Sequence, residues 1–213
     1  MHALLMLIFF CLILFYSYDT AHASWLLYHK PAYSGRIVDY DSKESISNVV
    51  VVAIYNKRTM GLGSGTISSI IEVREVVSDR NGKFSIRSYT SIIQPFSWVS
   101  FCRFIVFKAG YIYVDDNGLE DYFSGNGKKV KDITISYNKM LQTRYLPSRT
   151  VEIKKIENQT ERMDLPNTLE LEREGFINRF PALKRNIKLQ EESEKTNPPK
   201  NEFRPLTIIP MNQ

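Results

Sequence analysis

The run Ser47–Tyr55, SNVVVVAIY, constrains the fold of this chain more than any other stretch. Valine and isoleucine are stiff about χ1, which suits a pleated strand better than a helix. The run is too short for a buried helix, and from Val49 to Tyr55 it contains no polar residue to face water. It reads as a strand covered on both faces or set centrally in a sheet.

The flanking sequence continues in the same grammar. GRIVDY (Gly35–Tyr40) reads as a strand ending in the polar turn Asp41-Ser42-Lys43. Lys57–Ser69 holds Gly61, Gly63 and Gly65 among serines and threonines, and is expected to be a long hairpin loop. Glu72–Ser78 and Lys83–Arg87 are the next strands. Between them, Asp79-Arg80-Asn81-Gly82 would either grip a ligand or simply reverse the chain. Its residue types favour the corner: Asn-Gly tolerates positive φ, and Asp79 can bond its own backbone. Phe84 and Ile86 then share one face, with Lys83, Ser85 and Arg87 on the other. An insertion rich in turn and aromatic residues (Ser88–Trp98) precedes a strand over Phe101–Phe107. A turn at Lys108-Ala109-Gly110 and a return strand at Tyr111–Val114 follow. Asp115–Lys129 reads as a long acidic loop, Val130–Tyr137 as a strand, and Val151–Ile156 as a strand that closes the domain. Short strands separated by Gly, Asn and Asp turns predict a sandwich of antiparallel sheets.

The two ends differ from this middle. Ala3–Tyr16 is fourteen residues long without a charge, and Ala21-His22-Ala23 places small residues before Ser24. That length fits a secretory signal and falls short of the roughly 20 residues of a membrane span. The n-region has no Lys or Arg, so a retained N-terminal membrane anchor is the alternative. The expected organisation is a signal over residues 1–23, a β-domain over 24–157 and an extension over 158–213. In the extension, Glu161–Leu165 reads as a helical turn halted by Pro166, and Thr168–Phe180 as a helix. Lys188–Lys200 has almost nothing to bury and is expected to be disordered. LTIIP, Leu206–Pro210, would lie back on the domain.

Removing residues 1–23 takes away one acid and no Lys or Arg, so the formal charge moves from +5 to +6. The basic residues are interleaved with acids, which marks solvated surface and argues against a nucleic-acid partner. Past residue 23 the sequence has one cysteine, Cys102, and one histidine, His29. No internal disulfide can form there, and neither a zinc site nor a Ser-His-Asp or Cys-His arrangement is expected. Asp115, Asp116, Glu120 and Asp121 are close in sequence but lack the spacing of a calcium loop, so an acidic solvated loop is the expectation. No cofactor motif is present. Asn158-Gln159-Thr160 is formally a glycosylation sequon. Two aromatic groups remain: Tyr89, Phe96, Trp98 and Phe101, then Tyr111, Tyr113, Tyr122 and Phe123. Tyr89, Trp98, Tyr122 and Phe123 are the candidate partner-binding aromatics, against the plainer alternative that such rings cover the ends of the core.

Taken with its motifs, the chain resembles the carboxypeptidase regulatory-like domain, whose fold is the transthyretin (prealbumin-like) β-sandwich. The resemblance rests on Gly35, Ile37 and Val38 in the first strand and on the small-residue run Ser47–Ala53. It rests further on Ser78-Asp79-Arg80-Asn81-Gly82-Lys83-Phe84 in a T-D-x-x-G-x-F pattern, with Ser in place of Thr, and on the Lys108-Ala109-Gly110-Tyr111 turn. It covers about residues 33–113. AYSGRIVD, TSIIQPFSW and VEIKKIENQTERMD also look like a group of exported bacterial proteins built on this domain.

The resemblance implies an all-β, seven-stranded antiparallel Ig-like or prealbumin-like sandwich with long loops and a partly helical or irregular C-terminal extension. It implies a stable module rather than an enzyme. The chain has neither room nor ligands for a zinc peptidase domain, and its tail, IIPMNQ, lacks the Tyr-Arg-Gly-Ser end of hydroxyisourate hydrolases. The expected function is a noncatalytic, periplasmic or secreted module that binds a protein or a cell-envelope polymer. A carbohydrate-binding module using exposed aromatics (Trp98 with Tyr89 or Tyr122) and a membrane-anchored accessory subunit in peripheral contact with lipid are the alternatives.

Overall fold

The computed structural model describes residues 27–61, 65–125, 143–146, 148–156, 166, 168, 171, 173–176 and 178–196. The expected signal, the strand at 130–137, the sequon, the turn at 161–165 and LTIIP lie outside these residues. Ten strands are described: β1 (Leu27–Lys30), β2 (Tyr33–Asp39), β3 (Val50–Met60), β4 (Thr66–Val77), β5 (Lys83–Ile86), β6 (Tyr89–Ile92), β7 (Ser97–Phe107), β8 (Val114–Asp116), β9 (Arg144–Leu146) and β10 (Thr150–Ile153). Two helices, α1 (Leu119–Ser124) and α2 (Pro181–Thr196), accompany them.

The strands form a four-stranded sheet β4-β3-β7-β8, a second four-stranded sheet β5-β2-β10-β9, and a two-stranded sheet β1-β6. Most pairs are antiparallel, as expected. β10 departs from this by running parallel to β2, with Val151 opposite Ile37.

β3 explains the arrangement. Its first seven residues are all buried. Val51, Ala53 and Tyr55 enter a core shared with Tyr33 and Ile37 of β2, Phe84 and Ile86 of β5, Phe104 and Val106 of β7, and Val151 and Ile153 of β10. Val50, Val52 and Ile54 point the other way, into a second cluster with Ile105, Leu171, Phe180 and Leu183. The strand is therefore both central and covered on its two faces, as a continuous β-branched run requires.

The corner at Asp79 behaves as its residue types demand. The Asp79 carboxylate accepts the N–H groups of Asn81 and Lys83, each at 2.8 Å, and Gly82 takes φ 71°. A Cβ on Gly82 would lie 2.3 Å from the Ile37 carbonyl oxygen. Gly35 is required for a different reason: a Cβ there would stand within 2.9 Å of the Phe84 and Phe123 rings.

Four expectations need correction. The stretch Lys57–Ser69 is mostly paired strand, because β3 and β4 remain in register from Asn56↔Ile70 to Met60↔Thr66 beyond a bulge at Tyr55/Asn56. The acidic loop contains α1, whose Leu119, Tyr122 and Phe123 fall at i, i+3 and i+4 and are buried. Tyr111 makes an isolated bridge to Lys155, and the return strand begins only at Val114.

The fourth concerns the extension. Residues 188–196, expected to be disordered, continue the helix that starts at Pro181. That helix is fixed at its start by Glu75 of β4, whose carboxylate accepts the N–H groups of Ala182 and Leu183 at 2.9 and 2.7 Å. Leu183 is buried beneath it, and Gln190 accepts the Gly110 N–H at 2.7 Å. The helix expected over Thr168–Phe180 is interrupted, with Gly175 at φ 84° and Phe180 turned into the second cluster.

Candidate docking surface

The β3-β4 hairpin and the start of β7 project at one end of the large sheet, opposite the end where Val50, Val77 and Phe107 meet. Met60 donates its N–H to the Phe96 carbonyl at 3.0 Å, and the Thr59 and Ser97 hydroxyls are 2.8 Å apart, so both strands and the turn before β7 are tied together there. That turn is Gln94-Pro95-Phe96-Ser97, closed by the Ser97 N–H on the Gln94 carbonyl at 3.2 Å. Proline sits second, its usual place, but the third position, where positive φ normally selects glycine, holds Phe96 at φ 62°. Phe96 is 71% exposed. Among the described residues nothing offsets that conformation by burying the side chain.

Phe96 has company. Met60, Ile67, Trp98, Val99, Leu27 and Ile92 are also exposed, and all belong to this end. Leu27 and Ile92 face each other across β1 and β6, four residues before Phe96. Elsewhere, among the described residues, Val77 and Leu189 are the exposed large apolar side chains.

The four aromatics singled out from sequence separate accordingly. Trp98 lies on the exposed end, opposite Arg58 of β3. Tyr89 is half-buried, its ring 5.1 Å from that of Tyr55 and 4.8 Å from the Arg74 guanidinium. Tyr122 and Phe123 are interior. The Tyr122 hydroxyl donates toward the carbonyls of Leu146 and Thr150 at 2.6 and 2.8 Å, and the Phe123 ring stacks edge-on against Phe84 and Phe104. These two rings are core and present no surface to a partner, so no platform of Trp98 with Tyr122 exists. Met60, Ile67 and Ile92 escaped the sequence reading because isolated aliphatics in polar strands carry no signal until pairing brings them together.

A polar cluster lies just below this end. Lys30 Nζ is 2.5 Å from Glu120 Oε1 and 2.5 Å from the Ser100 carbonyl oxygen. Glu120 Oε2 accepts the Cys102 N–H at 2.7 Å, and Oε1 lies 3.3 Å from the Tyr33 hydroxyl. Burial, then the Glu120 charge, pushes the Cys102 thiol well above its ordinary pKa, so it is held protonated and is a poor nucleophile. Each of these groups is engaged with another, which describes a structural cross-tie between β1, β7 and α1.

A groove of about 470 Å³ on the outer face of the large sheet is lined by Asn56, Phe101, Arg103 and Asp115 among others. Arg103 and Asp115 close on each other through two 2.6 Å contacts, so their charges are spent within the groove. The acids of the former loop diverge: Asp115 to Arg103, Asp116 to the Gly118 N–H, and Glu120 to Lys30. Among the described residues no group of three His, Cys, Asp or Glu is placed to hold a metal ion. His29 lies exposed in β1, its Nδ1 2.8 Å from the Thr90 hydroxyl. No helix among the described residues is long and apolar enough to cross a membrane. No family model, curated protein or solved structure matches the chain.

Proposed function

We propose that this protein is an exported, noncatalytic β-sandwich module of the carboxypeptidase regulatory-like, prealbumin-like kind, which docks on a component of the cell envelope through its hairpin end. The reading places it in the periplasm or outside the cell after cleavage at Ala23, or tethered to the membrane if residues 3–16 are retained. Two four-stranded sheets on one core, with the Asp79–Gly82 corner between β4 and β5, support the sandwich assignment.

The observation that carries the docking role is the gathering of Met60, Ile67, Phe96 and Trp98 at one end, with Phe96 held at positive φ and its ring in solvent. A strained backbone that exposes an aromatic ring is unfavourable for folding and is explained by use. The ionisable groups that converge elsewhere satisfy one another, which supports a noncatalytic role.

The test is retention on envelopes. In the chain beginning at Ser24, which lacks the apolar run 3–16, a Met60→Ser/Phe96→Ser/Trp98→Ser variant should keep the urea midpoint of its parent within about 0.5 M and wash off the producing organism's sedimented envelopes where the parent stays. Equal retention of the two would refute the role of this end.

A further inference from the structure

We infer that the hairpin end is a lipid-facing tip that dips into an anionic bilayer surface. This rests on the docking role proposed above and names the partner.

Three observations point to lipid rather than to a protein or a sugar. The first is that the apolar groups occupy both faces of the sheet. Side chains directly opposite each other in a sheet share a face, and successive residues alternate. Trp98 is opposite Arg58, and Met60, two residues on, lies on that same side. Ile67 is opposite Thr59 and Val99 is opposite Lys57, on the other side. A flat protein interface covers one face of a strand pair, whereas a fluid acyl layer surrounds a tip and accepts both.

The second is charge. No Asp or Glu occurs between Ser45 and Ile71, between Ser88 and Val114, or between Thr20 and Val38, and of the acids the fold brings nearby Asp115 is paired with Arg103, Asp116 accepts the Gly118 N–H and Glu174 accepts the Ile70 N–H. The cations beside the tip are Lys57 and Arg58, two to three residues behind Met60. At about 3.4 Å per strand residue they sit roughly 7–10 Å behind Met60. Immersion of Met60, Ile67 and Phe96 to the usual 5–10 Å of an interfacial element therefore places both cations, with Trp98 and Val99 opposite them, at the phosphate level. Lys30, also near this end, is already neutralised by Glu120. Tryptophan at such a boundary keeps its ring in the interface.

The third is where the chain enters. The uncharged run 3–16 joins the domain through Leu27, whose partner across the two-stranded sheet is Ile92 of the same end. Ten residues lie between Tyr16 and Leu27, so a run held in the bilayer keeps Leu27 within at most about 40 Å of it.

The test uses the full chain carrying Trp25→Phe, which leaves Trp98 as its single tryptophan. The protein is reconstituted into vesicles of phosphatidylcholine and phosphatidylglycerol, with and without shallow dibrominated phosphatidylcholine. Trp98 emission should shift to the blue and fall at least twofold with the brominated lipid. Met60→Ser/Phe96→Ser added to this background should abolish the quenching although residues 3–16 still hold the chain on the vesicle. Lys57→Gln/Arg58→Gln should weaken phosphatidylglycerol-dependent quenching about 30-fold, the effect of losing two basic residues at a charged surface. Trp98 that stays quenchable by aqueous iodide and blind to bromine on these vesicles overturns the lipid assignment. If Trp98 is shielded from iodide on whole envelopes but not on lipid vesicles, the docking role stands and the partner is a protein or polymer. Shielding that grows with protein concentration in lipid-free solution marks a second copy as the occupant, and also overturns it. Exposure in every setting removes the docking role as well.

Discussion

Removing the Glu120 carboxylate should be among the most damaging single changes in the molecule. Glu120→Ala takes the counter-ion from a Lys30 side chain that is only 7% exposed, leaving the ammonium with the Ser100 carbonyl alone. It also strips the acceptor from the Cys102 N–H in the middle of β7. Breaking a buried ion pair costs about 3–5 kcal/mol, and an orphaned buried N–H about 1–3 kcal/mol. Glu120 itself is 21% exposed, so water can reach part of the vacated site and the lower bounds apply, about 4 kcal/mol in all. Glu120→Gln retains an acceptor for Cys102 and loses the charge, about 1.5 kcal/mol. Lys30→Met leaves Glu120 bonded to Cys102 and partly hydrated, about 1–2 kcal/mol. Urea unfolding at pH 7 should rank the midpoints native, then Gln, then Ala, with Ala about 2 M below native for an m near 2 kcal/mol/M. Lys30→Met/Glu120→Gln should lose less than the sum of its parts by at least about 1 kcal/mol. An Ala variant within about 1 kcal/mol of native, or strict additivity in the double variant, would refute the cross-tie.

Three further outcomes follow from the same coordinates. Gly82→Ala meets both a left-handed φ and the Ile37 carbonyl oxygen 2.3 Å from the new Cβ, and should lose about 2–4 kcal/mol by urea unfolding. Tyr55→Phe should be neutral or stabilising by about 1 kcal/mol, because the buried Tyr55 hydroxyl has no hydrogen-bond partner among the described residues and its removal relieves a desolvation cost. A clear destabilisation would mean that the hydroxyl is satisfied after all. Asp39 gives a pH signature. Partial burial raises its pKa, but the N–H groups of Ser42 and Asp41 outweigh this and hold it below the ordinary carboxylate value. The stability it adds is present in full above the unfolded pKa near 3.9 and is lost as pH falls through the lower folded value. Melting temperatures of Asp39→Asn should therefore fall less steeply than native below about pH 4, and parallel slopes would remove Asp39 from the account.

Several elements were legible because local chemistry and tertiary context agree. β3 announced itself through an unbroken β-branched run, and the corner at Asp79 through Asp and Asn-Gly at fixed offsets. α1 was legible in principle, since Leu119, Tyr122 and Phe123 have helical spacing, but acids and glycines around it outweighed three apolar residues. α2 was hidden more deeply. Its start depends on Glu75, over a hundred residues away, and its far half has little to bury, so composition argued for disorder where good helix formers were continuing an anchored turn. Lengthening of the β3-β4 hairpin was concealed by its serines and threonines, which pair as readily as they loop. The docking end shows the same limit. Trp98 and Phe96 stand out as aromatics, but their union with Met60, Ile67 and Ile92 exists only once four strands and a turn are in place. Conversely, Tyr122 and Phe123 look presentable in sequence and are enclosed by the helix they help to form.

The most direct measurement is photoactivated carbene footprinting of the protein on the producing organism's envelopes and, separately, purified in solution. Met60, Phe96 and Trp98 should lose several-fold of their labelling on the envelope, while Val77 and Leu189, equally apolar and exposed elsewhere, keep theirs. Equal labelling of the hairpin end in both settings would contradict the claim that this end is where the protein docks.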